Sequence, residues 1–261
     1  MPRLDSKLVE KGIARSRERA KEMIKAGNVT VNGNIVTKSA YEVSDEDEIA
    51  SSEQELYVGR GALKLEKAVN TFNIDLSSRV CLDIGASTGG FTDYMLKQGA
   101  SKVYAVDVGH DQLAESLRNN IKVVNMEGTD IRKLSAEDFD SSIDFVCTDV
   151  SFISLKLIIP KILELASDNA DIVLLIKPQF EAGRKDIGKG GIVKDKKVHI
   201  RVLTDIDSFI QQQGAAASEY TFSPVKGGSG NIEYLVHIIK KAGAPVLHDF
   251  KELVERSFKE L

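Results

Sequence analysis

The chain of 261 residues carries 35 Lys/Arg against 39 Asp/Glu, a net charge of −4, with 42% hydrophobic and 28% charged residues. That is enough chain for one large core or two smaller ones, and the composition excludes wholesale disorder and fibrous repeats. The longest purely apolar run, Ile172 to Ile176, is far too short to cross a bilayer. The opening Met-Pro-Arg-Leu-Asp is charged and lacks the apolar stretch of a secretory leader, so a cytoplasmic protein is expected. Cys81 and Cys147 each sit in an apolar segment and read as buried reduced thiols. The four histidines show no metal-ligand spacing, and no metal is expected.

The total charge hides an uneven distribution. Residues 1–40 hold nine Lys/Arg and four acids, +5, whereas residues 41–55 hold seven acids and no base, −7. The remainder sums to −2. A near-neutral total therefore does not exclude a nucleic-acid partner.

In chain order, Leu4, Leu8 and Val9 recur at helical spacing up to Gly12. Ser16 can cap a second helix whose Ala20, Met23 and Ile24 form an apolar stripe ending at Gly27. Val29-Thr-Val31 then alternates into Asn32-Gly33, the pair that best tolerates the positive φ angles of a tight hairpin, and Ile35-Val36 returns. Arg3-Leu-Asp, Gly12, Ser16-Arg17, Ala20, Ile24, Gly27-x-Val29-x-Val31-Asn-Gly33, Lys38 and the acidic strip Asp45–Glu48 together resemble the S4-like RNA-binding domain. Arg15, Arg17, Arg19, Lys21 and Lys25 fall on or beside one helix, and with Arg3 they could contact the phosphates of an RNA stem. A merely solvated basic helix face is the plainer alternative.

From about Arg79 strand-like and helix-like segments alternate. Strands are expected at Val80–Ile84, Val103–Asp107, Lys122–Met126, Ile143–Thr148, Ile172–Ile176 and Ile232–Ile239, and helices near Thr92–Gln98, Asp111–Asn119, Leu155–Ala166 and Lys196–Gln213. This alternation implies an α/β, doubly wound, mostly parallel sheet that binds ligands at the carboxyl ends of its strands. The first strand runs into Asp83-Ile-Gly85-Ala-Ser87-Thr-Gly89-Gly90-Phe91. A dinucleotide site would read G-x-G-x-x-G; here three residues separate Gly85 from Gly89-Gly90. Asp107, ending the second strand, can accept bonds from both hydroxyls of a ribose, and Asp130 could face an adenine amino group. A loop without a pyrophosphate cradle but with a ribose acid fits S-adenosyl-L-methionine better than NAD.

After the fourth strand the chain reads Thr148-Asp149-Val-Ser-Phe152, without the prolines usual in enzymes that methylate an exocyclic base nitrogen. The fifth strand runs straight into Lys177-Pro178, and a lysine ending a buried strand is costly unless it lies at a mouth with partners. Lys64 precedes the sheet on an expected helix, and Glu233 lies within the last strand. In order and context Lys64, Asp149, Lys177 and Glu233 resemble the tetrad of FtsJ-type ribose 2′-O-methyltransferases. The resemblance implies catalysis by these four. A ribose hydroxyl must lose its proton as it attacks, and a neutral lysine could take it if burial and a second lysine lowered its pKa. Lys177 would be the general base, and Lys64 would tune it and steady the alkoxide. Asp149 would orient the lysines, and Glu233 would balance charge and position Lys64 or the ribose.

Further motifs are Tyr57-Val-Gly-Arg60-Gly-Ala-Leu-Lys64-Leu, Lys177-Pro-Gln-Phe-Glu181-Ala-Gly-Arg184, Gly188-Lys-Gly-Gly191 and Ser223-Pro-Val-Lys-Gly227. With both domains in order, nearly the whole chain is similar to the TlyA (haemolysin A) family of ribosomal RNA methyltransferases. That resemblance implies an S4-like domain and linker at 1–58, a Rossmann-like FtsJ-type methyltransferase domain at 59–241 and a tail helix at 242–261. It also implies ribose methylation of cytidine in ribosomal RNA within ribosomal subunits. Arg184 and Lys189 lie in a glycine-rich basic loop that could clamp the target strand, or could simply be solvated. Phe250, Leu253, Val254 and Phe258 mark a terminal amphipathic helix expected to dock on the enzyme. Two rival functions remain at this stage. One is a non-catalytic RNA-binding or ribosome-assembly factor. The other is a haemolysin-like membrane-active protein, which the enzymatic motifs would leave unexplained.

Overall fold

The computed structural model describes residues 2–14, 16–52, 57–240 and 246–261. It divides into two compact units, Met1–Val58 and Gly59–Leu261.

The first unit contains helices α1 (Leu4–Glu10) and α2 (Arg17–Lys25) and strands β1 (Val29–Val31), β2 (Asn34–Ile35) and β3 (Ile49–Ser51). The Ser16 hydroxyl accepts from Arg19 N at 3.2 Å, the expected cap of α2. Asn32 and Gly33 take φ of 51° and 77°, so β1 pairs with β2 across a two-residue turn. The sequence pattern does not reveal β3, which lies antiparallel to β1 and completes a sheet of order β2-β1-β3. The acidic strip leads into it: Asn32 donates to Asp47 at 2.8 Å and accepts from Glu48 N at 2.9 Å. Leu4, Leu8, Ala20, Met23, Ile24, Val29, Val31, Val43 and Ile49 form the small core. Asp5 and Lys7 are buried at its edge. Arg3 and Arg17 hold Asp5, while Glu10 and Asp45 hold Lys7.

In the second unit the chain forms α3 (Ala62–Phe72), β4 (Val80–Ile84), α4 (Gly90–Lys97), β5 (Lys102–Asp107), α5 (Glu115–Arg118), β6 (Val123–Glu127) and β7 (Ile143–Thr148). It continues through α6 (Ile159–Leu165), β8 (Ala166–Ile176), α7 (Pro178–Glu181), α8 (Lys196–Gln212), β9 (Ala216–Phe222), β10 (Tyr234–Ile239) and α9 (Phe250–Glu260). The sheet order is β6-β5-β4-β7-β8-β10-β9. Five strands are parallel, and β10 is antiparallel to both of its neighbours. The order reverses direction beside β4, which opens a crevice at the carboxyl ends of β4 and β7.

Several expectations need adjustment, among them the strand expected at Ile172–Ile176, which begins at Ala166. The helix expected at Asp111–Asn119 shrinks to a single turn, because Asp111 takes φ 56° and breaks the helical path. The helix expected from Leu155 starts as a 3-10 turn and becomes α-helical only at Ile159, with a proline in its first turn. Strand β9 was not expected, because Ala216-Ala217-Ser218-Glu219 shows neither β-branching nor a clear apolar alternation. The terminal helix α9 docks on this unit: Val254 is fully buried in the main core, with Phe250, Leu253 and Phe258 packed against it. There Tyr234 Oη lies 3.1 Å from Ser257 Oγ and 2.9 Å from His199 Nδ1.

Candidate active site

A cavity of about 480 Å³ opens at the carboxyl ends of β4, β5 and β7, within the size range of small-molecule sites. Gly85, Ser87, Asp107, Asp130 and Asp149 all line it, with Ile84, Val106, Ile131, Ile153 and Ile158 as apolar walls. Gly85 has φ +84°, and a Cβ there would stand 2.7 Å from the Asp149 carbonyl oxygen, so only glycine lets the loop pass. Ser87 N and Gly109 N donate to the two oxygens of Asp107 at 2.8 and 2.7 Å. Each oxygen keeps a lone pair for a ribose hydroxyl. Apolar walls for a purine beside a pinned carboxylate suit an adenosine, so the residues present fit S-adenosylmethionine.

The other residues expected at the cofactor stand as follows. Asp83 is fully buried and off the cavity; Thr92 Oγ1 donates to it at 2.6 Å, and burial pushes its carboxyl up to about 7. Gly89, Gly90 and Phe91 also lie off the cavity wall. Gly89 and Gly90 start α4, and Phe91 packs in the interior. Asp130 is on the wall but already engaged. The Arg132 side chain grips it at 2.6–3.1 Å, and that hydrogen bonding lowers its carboxyl to about 2.

Beside the cavity the four expected catalytic side chains come together. Asp149 follows β7 directly, its N–H bonded to the Ile84 carbonyl at 3.0 Å. Lys177 follows β8, where Pro178 starts α7. The register Tyr234↔Ile176 puts Glu233, one residue earlier, across from Lys177, and α3 supplies Lys64 in its first turn. Lys177 Nζ is 2.5 Å from Asp149 Oδ1; Lys64 Nζ is 3.2 Å from Asp149 Oδ2 and 2.8 Å from Glu233 Oε2. Lys64, Lys177 and Glu233 are only 8%, 7% and 2% exposed, so two cations and two carboxylates neutralise one another in a confined space. Burial pulls the Lys64 pKa down, but the Asp149 and Glu233 carboxylates outweigh it and the net shift is upward. Burial likewise opposes the Asp149 carboxylate, and the two lysines outweigh it, leaving its pKa lowered. Gly227 makes room for the cluster, since a Cβ there would meet Glu233 Oε1 at 2.3 Å.

Sequence reading missed several neighbours. Ser151 Oγ accepts from Lys177 Nζ at 2.9 Å and, with Gln112 and Arg132, lines the cavity. Only its place in Thr148-Asp-Val-Ser-Phe152 hinted at this. Glu181 accepts from Ser154 Oγ at 2.6 Å and from Leu155 N at 2.8 Å, tying the segment after β7 to the segment after β8. The basic loop is anchored rather than free along its length: Asn231 donates to the Gly191 carbonyl and accepts from Val193 N at 2.9 and 3.0 Å. Arg184 and Lys189 in it are exposed.

In the first unit Arg3, Arg17 and Lys25 are exposed, whereas Arg19 and Lys21 are half-buried. Arg19 pairs with Glu22 at 3.3 Å. Arg15 lies outside the described residues.

The sheet order, the glycine loop and the cavity define an S-adenosylmethionine-dependent methyltransferase. Residues 57–240 match the model of the FtsJ-like methyltransferases, and residues 2–49 match the S4 domain. The chain is 45% identical to Hemolysin A of Brachyspira hyodysenteriae, over 91% of this chain and 99% of that one. It is 43% identical to the 16S/23S rRNA (cytidine-2′-O)-methyltransferase TlyA of Mycobacterium tuberculosis, over 90% and 88% of the two chains. A solved structure from Streptococcus thermophilus superposes with a TM-score of 0.79 at 42% identity, covering 99% of this chain and 96% of that one. The chain belongs to the FtsJ-like methyltransferases, in the TlyA (haemolysin A) family.

Proposed function

We propose that the protein methylates the ribose 2′-hydroxyl of cytidine in ribosomal RNA, acting on ribosomal subunits in the cytoplasm, with Lys177 as general base. The observation that carries this is the convergence of Lys64, Asp149, Lys177 and Glu233 within ion-pair distance beside the cavity that Asp107 and Asp149 line. The (cytidine-2′-O) activity named for the Mycobacterium tuberculosis relative supports the substrate.

S-adenosylmethionine would supply an electrophilic methyl group, with Asp107 holding its ribose and Asp130 and Arg132 at the adenine end of the cavity. The two lysines divide the remaining work by their partners. Lys64 is held by two carboxylates and stays charged, which suits it to steady the oxygen as it loses its proton. Among the described residues Lys177 pairs with one carboxylate, Asp149, and both Asp149 and its other partner Ser151 line the cavity, so Lys177 is assigned as the base. Asp149 bridges both lysines and fixes their separation, and Glu233 keeps Lys64 in place. Holding hydroxyl, base and donor in line supplies much of the rate.

Residues 1–58 are read as the docking module. Arg3, Arg17, Arg19, Lys21 and Lys25 would meet RNA phosphates there, and Arg184 and Lys189 would meet them beside the active site. Among the described residues no helix is long and apolar enough to cross a membrane.

Lys177→Ala should reduce methyl incorporation into intact ribosomal subunits by about 100-fold or more, with donor affinity retained. Full incorporation by the variant would remove the base assignment. No incorporation by the wild-type protein into either subunit would favour a non-catalytic assembly factor.

A further inference from the structure

We propose that Ser151 is a positioning residue that aims the reacting nitrogen of Lys177, an inference that rests on Lys177 being the base. A neutral primary amine has two N–H bonds and one lone pair in a tetrahedral arrangement, and only the lone pair can take a proton. Among the described residues Lys177 Nζ has two hydrogen-bond acceptors in reach, Asp149 Oδ1 at 2.5 Å and Ser151 Oγ at 2.9 Å. Donating one hydrogen to each leaves the lone pair pointing away from both. With Asp149 alone, the amine would still turn about its last carbon–nitrogen bond, and its lone pair would sweep a cone. The serine removes that freedom. As the ribose O–H bond breaks and the new O–CH3 bond forms, the proton moves to this oriented lone pair, and the electron pair of the breaking S–CH3 bond returns to sulfur.

The backbone on either side of the serine is itself held in place. The next residue, Phe152, has φ +64°, a left-handed conformation that bulky side chains rarely adopt. Its ring lies 5.1 Å from that of Phe180, while Glu181 accepts from Ser154 Oγ and Leu155 N. The segments after β7 and β8 are therefore laced together at successive points: Asp149 and Ser151 to Lys177, Phe152 to Phe180, and Ser154 with Leu155 to Glu181. Two uncharged members of this seam touch the proposed base: the Phe180 ring, 5.8 Å from Lys177 Nζ, and Ser151, whose hydroxyl takes a directed hydrogen bond from it. The serine is also exposed, so the fold does not depend on its packing.

The test compares Ser151→Ala and Ser151→Thr with wild type in single-turnover methyl transfer at saturating donor and ribosomal subunits. Donor affinity is read by calorimetry and the melting temperature alongside. Ser151→Ala should slow transfer about ten- to hundredfold, a loss well beyond any change in donor affinity at this cavity-lining residue, with apparent KM for the subunits and melting temperature unchanged. Ser151→Thr, which keeps a hydroxyl, should recover most of the rate. A wild-type rate in Ser151→Ala overturns the proposal, as does a rate loss matched by lost donor affinity, which would make the serine part of the donor pocket. A threonine variant no better than alanine overturns it too. Lys177→Ala run in parallel separates the two readings: full activity there removes the base itself, whereas an inactive Lys177→Ala beside a fully active Ser151→Ala removes only the role of the serine.

Discussion

Asp5 in the N-terminal unit is fully buried, yet the Arg3 and Arg17 side chains that hold it are 47% and 52% exposed. In the second unit Lys64, Lys177 and Glu233 are nearly all buried and face one another across Asp149. Both arrangements satisfy a buried charge, but they leave different things at the surface. The first turns its cations outward, where they can attract a polyanion at a range set by salt. The second spends its charges on each other, and what remains is geometry: two amines at fixed distances from a shared carboxylate. A binding surface can tolerate motion of its charges, whereas a proton-transfer site cannot.

The largest effect expected of this contrast comes from unbalancing the buried set. Among the described residues Lys64→Met leaves Asp149 with one lysine and Glu233 with none. We expect a loss of about 3–5 kcal/mol in urea unfolding and a fall in transfer rate of about 100-fold or more. A variant as stable as wild type would mean that the cluster is wetter and less tightly coupled than its burial implies.

A smaller effect concerns Asp83. Burial holds its carboxyl near 7, well above the ordinary carboxylate value, so the folded state binds the proton more tightly than the unfolded chain. Its contribution to stability is complete below about pH 4 and is lost as the pH rises to about 7. Asp83→Asn can still accept from Thr92 without ionising. Relative to wild type it should gain stability progressively from pH 4 to pH 7, by at most about 4 kcal/mol. Melting curves of the two proteins that run parallel across this range would contradict the prediction.

The smallest single-residue effects belong to the exposed cations. Arg17→Ala and Lys25→Ala should each weaken RNA binding modestly and make its logarithmic dependence on salt shallower, by about 0.7–0.9 for each phosphate left without its cation. Donor affinity should stay constant, because the cavity lies in the other unit. An unchanged salt slope would separate these residues from the RNA and blur the contrast between the units.

Much of the fold was legible because its signals are local. Asn32-Gly33 marks a hairpin through backbone preference, and alternating apolar runs mark β4, β5 and β7. Gly85 marks a close approach because no other residue fits there. Strand β9 was hidden by its alanines, and β3 by the acidic strip that precedes it. The partners of individual carboxylates were hidden as well: Asp83, expected at the cofactor, is sealed behind Thr92, and Asp130, expected at the adenine, is gripped by Arg132.

The sequence by itself determined which residue types stand at the strand ends and in the turns, and hence the kind of chemistry available. It also determined that a basic module precedes the sheet, once the charge was followed along the chain instead of summed. The tertiary structure decided which of those residues meet. Lys64 reaches Glu233 only because α3 packs near β10, and Glu233 stands across from Lys177 only because β10 runs antiparallel to β8 in one register. Periodicity and turn preference act over a few residues, whereas strand order and register are set by burial of the whole sheet, and it is these that bring Ser151 within 2.9 Å of Lys177.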